Sequence, residues 1–334
     1  MKVKKCLRNT LIGIAASIVA VSLSAVAQDI TIWRIGTGGV GGTYFPVGSL
    51  IANAISKPPG ALDCDMGGTC GVENLAAVPV STNASVANMN AVHSGHLQAG
   101  LAGAQVVTHG FKGTGEFEGS AKDRVRAIAT LFREDLHLVV AQEVKLSSIA
   151  DLNGLRVGIG IAGSGTQLNV KTILDHFGIE ANHYELNLQH SAQHLADRKI
   201  DAFFYAGGWP FAALIRLGAS EGFDLYSFAN HEIRKILEIL PVYVPSTIPA
   251  GGYENIDYEV LTVGSTAHLV TSVDQPEELI YAVTKALWSD TTRSILDRGH
   301  QKGRQVTLET ALEGLQIPLH RGAQRFYKEL GMGE

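Results

Sequence analysis

Cysteine is scarce, with 3 in 334 residues, and one of them, Cys6, falls in an N-terminal leader. The other two, Cys64 and Cys70, stand in Cys-Asp-Met-Gly-Gly-Thr-Cys with no histidine within five residues of either. A two-cysteine metal site is the weaker reading, and a local disulfide formed in an oxidising compartment the stronger. Basic charge is also short: 27 Lys and Arg face 32 Asp and Glu. That balance argues against nucleic acid and anionic lipid as partners. Solenoid repeats, coiled-coil heptads and low-complexity tracts are missing, so nothing points to an array or a fibre.

Catalytic and metal-binding constellations are missing too. Twelve histidines include His93 and His96, three apart, and His190 and His194, four apart on an expected helix. The second spacing can set two imidazoles on one face. Neither pair stands in HExxH or has a third ligand nearby, so no metal is expected. Gly218-Ala219-Ser220-Glu221-Gly222 matches GxSxG, but a nucleophile elbow needs strand, serine and helix in that order. Here a helical pattern precedes the motif and a strand pattern, 223–228, follows it, which reads as the turn ending a helix. With no nucleophile beside a base, no enzyme activity and no cofactor are expected.

What is present begins with Lys2, Lys4, Lys5 and Arg8, followed by an uncharged apolar run from Leu11 to Val26 and by Ala25-Val26-Ala27 ahead of Gln28. This reads as a cleavable signal peptide over residues 1–27, with Ala25 and Ala27 as the small residues of the cleavage site. The run is short for a membrane span and contains Ser17, Ser22 and Ser24, which disfavours an anchor. No cysteine follows it to carry a lipid. The expected product, Gln28 to Glu334, has 307 residues and 23 basic against 32 acidic side chains, a net charge of −9.

That length suits two lobes. Apolar β-type runs at 30–36, 76–80, 97–101 and 126–132 alternate with helical patterns at 44–56, 85–92 and 104–111. The pattern restarts with strands at 136–141, 156–160 and 201–205 and helices at 166–177, 191–199 and 210–217. Residues 244–252 look like a connection returning the chain between lobes. Strands at 260–263 and 267–270 and helices at 277–288 and 308–330 complete an α/β chain with mainly parallel sheets. One lobe would hold 28–133 and about 252–334, the other about 134–251.

Two glycine-rich turns read alike: Ile35-Gly36-Thr37-Gly38-Gly39-Val40-Gly41-Gly42-Thr43 and Gly158-Ile159-Gly160-Ile161-Ala162-Gly163-Ser164-Gly165-Thr166. Each joins a strand to a helix, aiming unpaired backbone N–H groups and the positive helix end at an anion. Both satisfy GxGxxG, but a dinucleotide site also wants an acidic residue ending the next strand. After the first turn that distance reaches Asp63 and Asp65, inside the cysteine loop; after the second it reaches Glu180. An exported chain moreover has no soluble nicotinamide cofactor to meet. Polar helix starts recur at Thr43-Tyr44, at Ser81-Thr82-Asn83-Ala84-Ser85 and at Ser164-Gly165-Thr166, where parallel strands end. Gln105 opens another helix. In Tyr205-Ala206-Gly207-Gly208-Trp209-Pro210 the glycines would let a ligand approach the backbone, and Trp209 either lines the cleft or packs.

These segments, with Asp151-Leu152-Asn153-Gly154, Asp201-Ala202-Phe203-Phe204 and Ile248-Pro249-Ala250-Gly251, together resemble the TAXI family of extracytoplasmic solute receptors associated with TRAP transporters. The resemblance spans nearly all of the mature chain. It implies a two-lobed type II periplasmic-binding-protein fold, a periplasmic monomer, a TRAP permease as partner, and a small anionic solute such as glutamate, a related amino acid or 2-oxoglutarate. Carried over by position, the implied ligand contacts are Thr43, Tyr44, Asn83, Ser85, Gln105, Ser164, Gly165 and Thr166, with Gly207, Gly208, Trp209 and Pro210. Where many relatives have Gln-Ser-Asp, this chain has Gln105-Val106-Val107. An exported hydrolase, or a receptor for a membrane kinase, is the alternative that the same cleft would serve.

Overall fold

The strand Val125–Val140, sixteen residues long, organises the molecule. In the computed structural model, which describes residues 29–333, its first half buries Ile128, Leu131 and Phe132 in one core. Its second half buries Leu136, Leu138 and Val140 in another. A second long strand, Val260–Ser272, runs antiparallel beside it, from Gly264 opposite Asp135 to Ser272 opposite Val125. The sequence pattern splits each of these strands in two. Arg133-Glu134-Asp135 and Gly264-Ser265-Thr266 interrupt the apolar runs, but the backbone pairing continues through both.

In the first lobe, strands Leu75–Val80, Thr31–Gly36 and Ala99–Gly103 lie parallel in that order, and Val260–Ser272 flanks the last of them. Helices Tyr44–Ile55, Ser85–His93 and Ala104–Lys112 connect or follow these strands. Trp33, Ile35, Ile51 and Leu101 pack there with Ile280, Leu296 and Tyr327 from the C-terminal helices. In the second lobe, Ala202–Gly207 pairs antiparallel with residues 135–140, and Arg156–Gly158 and Asn182–Tyr184 continue the sheet in parallel. The sheet is therefore mixed: parallel where strand–helix–strand units stack, antiparallel where the long strands pass. Two such lobes joined through crossing strands make the type II periplasmic-binding-protein fold.

Two expectations are corrected. Residues 244–252 are not the return between lobes: Val244–Ile248 is an edge strand paired only with Val260–Ser272, a position that tolerates Pro245. Tyr253, Ile256, Val260 and Val263 then pack in second-lobe cores, so the chain crosses back beyond Val263 rather than at 252. The helix expected over 308–330 shortens to Arg321–Glu329, because Gly314 takes a positive φ and Pro318 accepts from Ala127 N beside the long strand. Cys64 and Cys70 are disulfide-bonded, with Cα atoms 4.8 Å apart. Ser220 ends the helix Ala212–Ser220, and Gly222 adopts φ +74° just after it, so the GxSxG match is a helix-end turn. The leader and its cleavage site lie outside the described residues. Among the described residues, no helix is long and apolar enough to cross a membrane, and no cluster of three or more His, Cys, Asp or Glu could hold a metal ion.

Candidate ligand-binding site

The glycine turns fold as their spacing implies, and in the second the φ values show why glycine is needed. Gly160 and Gly163 hold φ +94° and +80°, and a side chain at Gly160 would press on the Gln167 N–H. The chain thereby reaches Ser164, whose hydroxyl accepts from Gln167 N at 3.1 Å and caps the helix Gly165–Phe177. Opposite, Gly41 and Gly42 let Gln189 and the Tyr205 hydroxyl come against bare backbone, just before the helix Tyr44–Ile55.

A cavity of about 240 Å³ lies between the lobes. Its wall takes in the N-terminal ends of five helices, represented by Thr43 and Tyr44, Ala84 and Ser85, Gly103 and Gln105, Ser164 to Thr166, and Asn187 and Leu188. Each such end carries about half a positive charge, so the cavity is biased toward an anion although the chain is acidic. The lobes touch directly. Asn83 Nδ2 donates to Ala162 O at 3.0 Å, Ala87 N to Gly163 O at 3.1 Å, and the Thr43 hydroxyl to Gly208 O. The clamshell is closed.

Nine residues expected from the sequence lie on the wall: Thr43, Tyr44, Asn83, Ser85, Gln105, Ser164, Gly165, Thr166 and Gly207. Several are already engaged with protein. Thr43 and Asn83 tie the lobes, and Thr166 Oγ1 accepts from Ala206 N at 3.1 Å. Gly208, Trp209 and Pro210 are not on the wall. The Trp209 indole turns the other way, donating to Asp135 Oδ2 at 2.7 Å with Lys302 Nζ 4.8 Å from its ring centroid. Lys302 and Asp135 are themselves 3.7 Å apart, and Ser246 donates to Asp135 Oδ1 at 2.5 Å. This cluster draws on both lobes at the crossing and holds the wall from behind.

The family comparison covers almost the whole described chain. The profile of the NMT1-like family matches residues 35–331. The chain belongs to that family. Among solved structures, a protein from Bordetella bronchiseptica RB50 is 16% identical, with 90% of this chain and 82% of that one covered at a TM-score of 0.50. MatC from Rhodopseudomonas palustris, solved with bound malate, is 13% identical with 90% and 96% covered at 0.49. A TctC solute-binding protein from Polaromonas is 18% identical with 80% and 88% covered at 0.44. At these identities the likeness concerns the fold.

In this NMT1-like chain, the wall includes residues that the sequence did not mark as ligand contacts: Glu134, Asn169, Gln189, Tyr205 and Tyr243. Glu134 comes from the first crossing strand and accepts from the Tyr44 hydroxyl at 3.0 Å. Burial pushes its carboxyl up to about 7, although the Tyr44 hydrogen bond opposes the rise. The same burial raises the Tyr44 and Tyr205 hydroxyls, so both stay neutral donors. Glu134 stands inside a charged interruption of an apolar run, and that interruption was the one available signal.

Proposed function

We propose that this chain is an exported solute-binding receptor of the TAXI kind. It captures a small anionic metabolite between its lobes, a glutamate-like amino acid, 2-oxoglutarate or another dicarboxylate, and delivers it in the periplasm to a TRAP-type membrane permease. The observation that carries this reading is the convergence of five helix N-termini from both lobes on one cavity. At about 240 Å³ the cavity falls below the roughly 300–1,000 Å³ of drug-sized ligand sites, which suits a compact metabolite. A ligand that touches both lobes only in the closed form shifts the population toward closure by that difference in affinity. The proposed contacts are Tyr44, Ser85, Gln105 and the Ser164 to Thr166 turn, with Thr43 and Asn83 tying the lobes together. The protein leaves the ligand chemically unchanged and acts as a monomer, with lobes meeting near residues 133–136 and 263–267.

A thermal-shift screen of residues 28–334 against amino acids, oxo acids, dicarboxylates and sugars tests the reading. A ligand at 100 times its dissociation constant adds about 2.7 kcal/mol. A rise with one of the anions is the expected result. Shifts confined to neutral sugars overturn the anion site, and turnover of a bound compound moves the chain to the exported hydrolases.

A further inference from the structure

An anion site has no need of Glu134. The residue is 5% exposed, and among the described residues its side chain has a single hydrogen bond, from Tyr44 to Oε2 at 3.0 Å. The nearby cation, Lys302, is committed to Asp135 and the Trp209 ring. Two further acceptors on the same cavity wall, Gln105 Oε1 and Asn169 Oδ1, are buried with no partner, in side chains only 2% and 4% exposed. Tyr44, Tyr205 and Tyr243 supply aromatic rings to the wall. A carboxylate, orphan amide oxygens and ring faces share one complement, a cationic group with several N–H donors. The helix N-termini call for the opposite charge.

We propose that the ligand is a zwitterionic α-amino acid, its ammonium group held by Glu134 with Gln105 and Asn169 and its carboxylate placed at the helix N-termini. This rests on the receptor reading above and narrows it to amino acids. A 2-oxo acid of the same skeleton leaves Glu134 and both amide oxygens buried without partners, a cost that falls on binding.

The test is calorimetric titration of residues 28–334 and of the Glu134→Gln variant at neutral pH. The probes are paired compounds: L-glutamate with 2-oxoglutarate, L-alanine with pyruvate, and L-leucine with 4-methyl-2-oxopentanoate. In the pair that binds, the wild-type protein is expected to favour the amino acid by roughly 30-fold or more, the size of a lost charge-assisted hydrogen bond. Glu134→Gln, confirmed folded by its melting curve, should lose most of that preference by weakening the amino acid and sparing the oxo acid. The wild-type ratio decides alone if the variant does not fold. An oxo acid bound as tightly as its amino acid, or a preference unchanged in Glu134→Gln, overturns the proposal and leaves the anion receptor standing. Binding of none of the three amino acids overturns the proposal too, and the wider thermal-shift screen then decides the receptor reading separately.

Discussion

His137 and His268 are imidazoles sealed in the structure, and burial lowers both to about 4 from the usual 6.5. The native state keeps them neutral, whereas the unfolded chain takes up protons below that usual value. Their stabilisation is therefore complete above about pH 6.5 and is lost as pH falls toward 4, on the order of 3 kcal/mol for each. Glu134 works in the opposite sense. Its carboxyl, raised from 4.5 to about 7, costs stability as pH rises through that window, and neighbouring Asp135 and Lys302 push it in opposite directions. Two measurements check these signs. In NMR titrations neither the His137 nor the His268 resonance should move above about pH 5. Glu134→Gln should raise the urea midpoint near pH 8 and leave it unchanged near pH 4.5. The residues of this site divide by how the sequence shows them. Thr43, Ser85 and Ser164 were legible because each follows a glycine-rich or polar turn at a helix start. Glu134, Asn169 and Tyr243 come from a strand crossing, a helix's second turn and a loop, and only the fold brings them together.

Among the elements, the second glycine turn bears most directly on the site. Gly160→Ala forces a non-glycine residue to φ +94° and places its Cβ 2.9 Å from Gln167 N. It should destabilise the protein by roughly 1–3 kcal/mol and weaken ligand binding, measured by denaturation and calorimetry on the same sample. Ser164→Ala removes a helix cap and should cost about 1 kcal/mol of stability along with affinity. A variant that lost affinity at unchanged stability would show that the hydroxyl serves the ligand instead of the helix. The short strands and most helices were readable because glycine and polar turns punctuate them. The crossing strands were not. A strand that leaves one core and enters another carries polar residues at the passage, which in sequence looks like an ending.

At the scale of the molecule, direct bonds hold the lobes together: Thr43 to Gly208, Asn83 to Ala162 and Ala87 to Gly163. Removing two of them with Thr43→Val and Asn83→Ala should shift the unliganded protein toward open forms. Small-angle scattering would read this as a larger radius of gyration, and calorimetry as a weaker dissociation constant, because binding must then supply the closure. Lobe count and fold class followed from length and alternation of elements. The return crossing did not, since the edge strand Val244–Ile248 carries Pro245 and looks like a connection. The passage between lobes is hydrogen-bonded sheet throughout, so opening must proceed by twisting two long strands.

Of the three tryptophans, Trp33 is sealed in the first lobe and Trp288 is held there by the Tyr327 hydroxyl at 3.0 Å. Trp209 alone belongs to the second lobe while resting against Lys302, a residue of the first. Any rotation of one lobe on the other changes the charge over that indole. The protein thus has a built-in optical reporter: its emission should step as solute is mixed in, giving occupancy and closing rate without a dye, and Trp209→Phe should silence the signal.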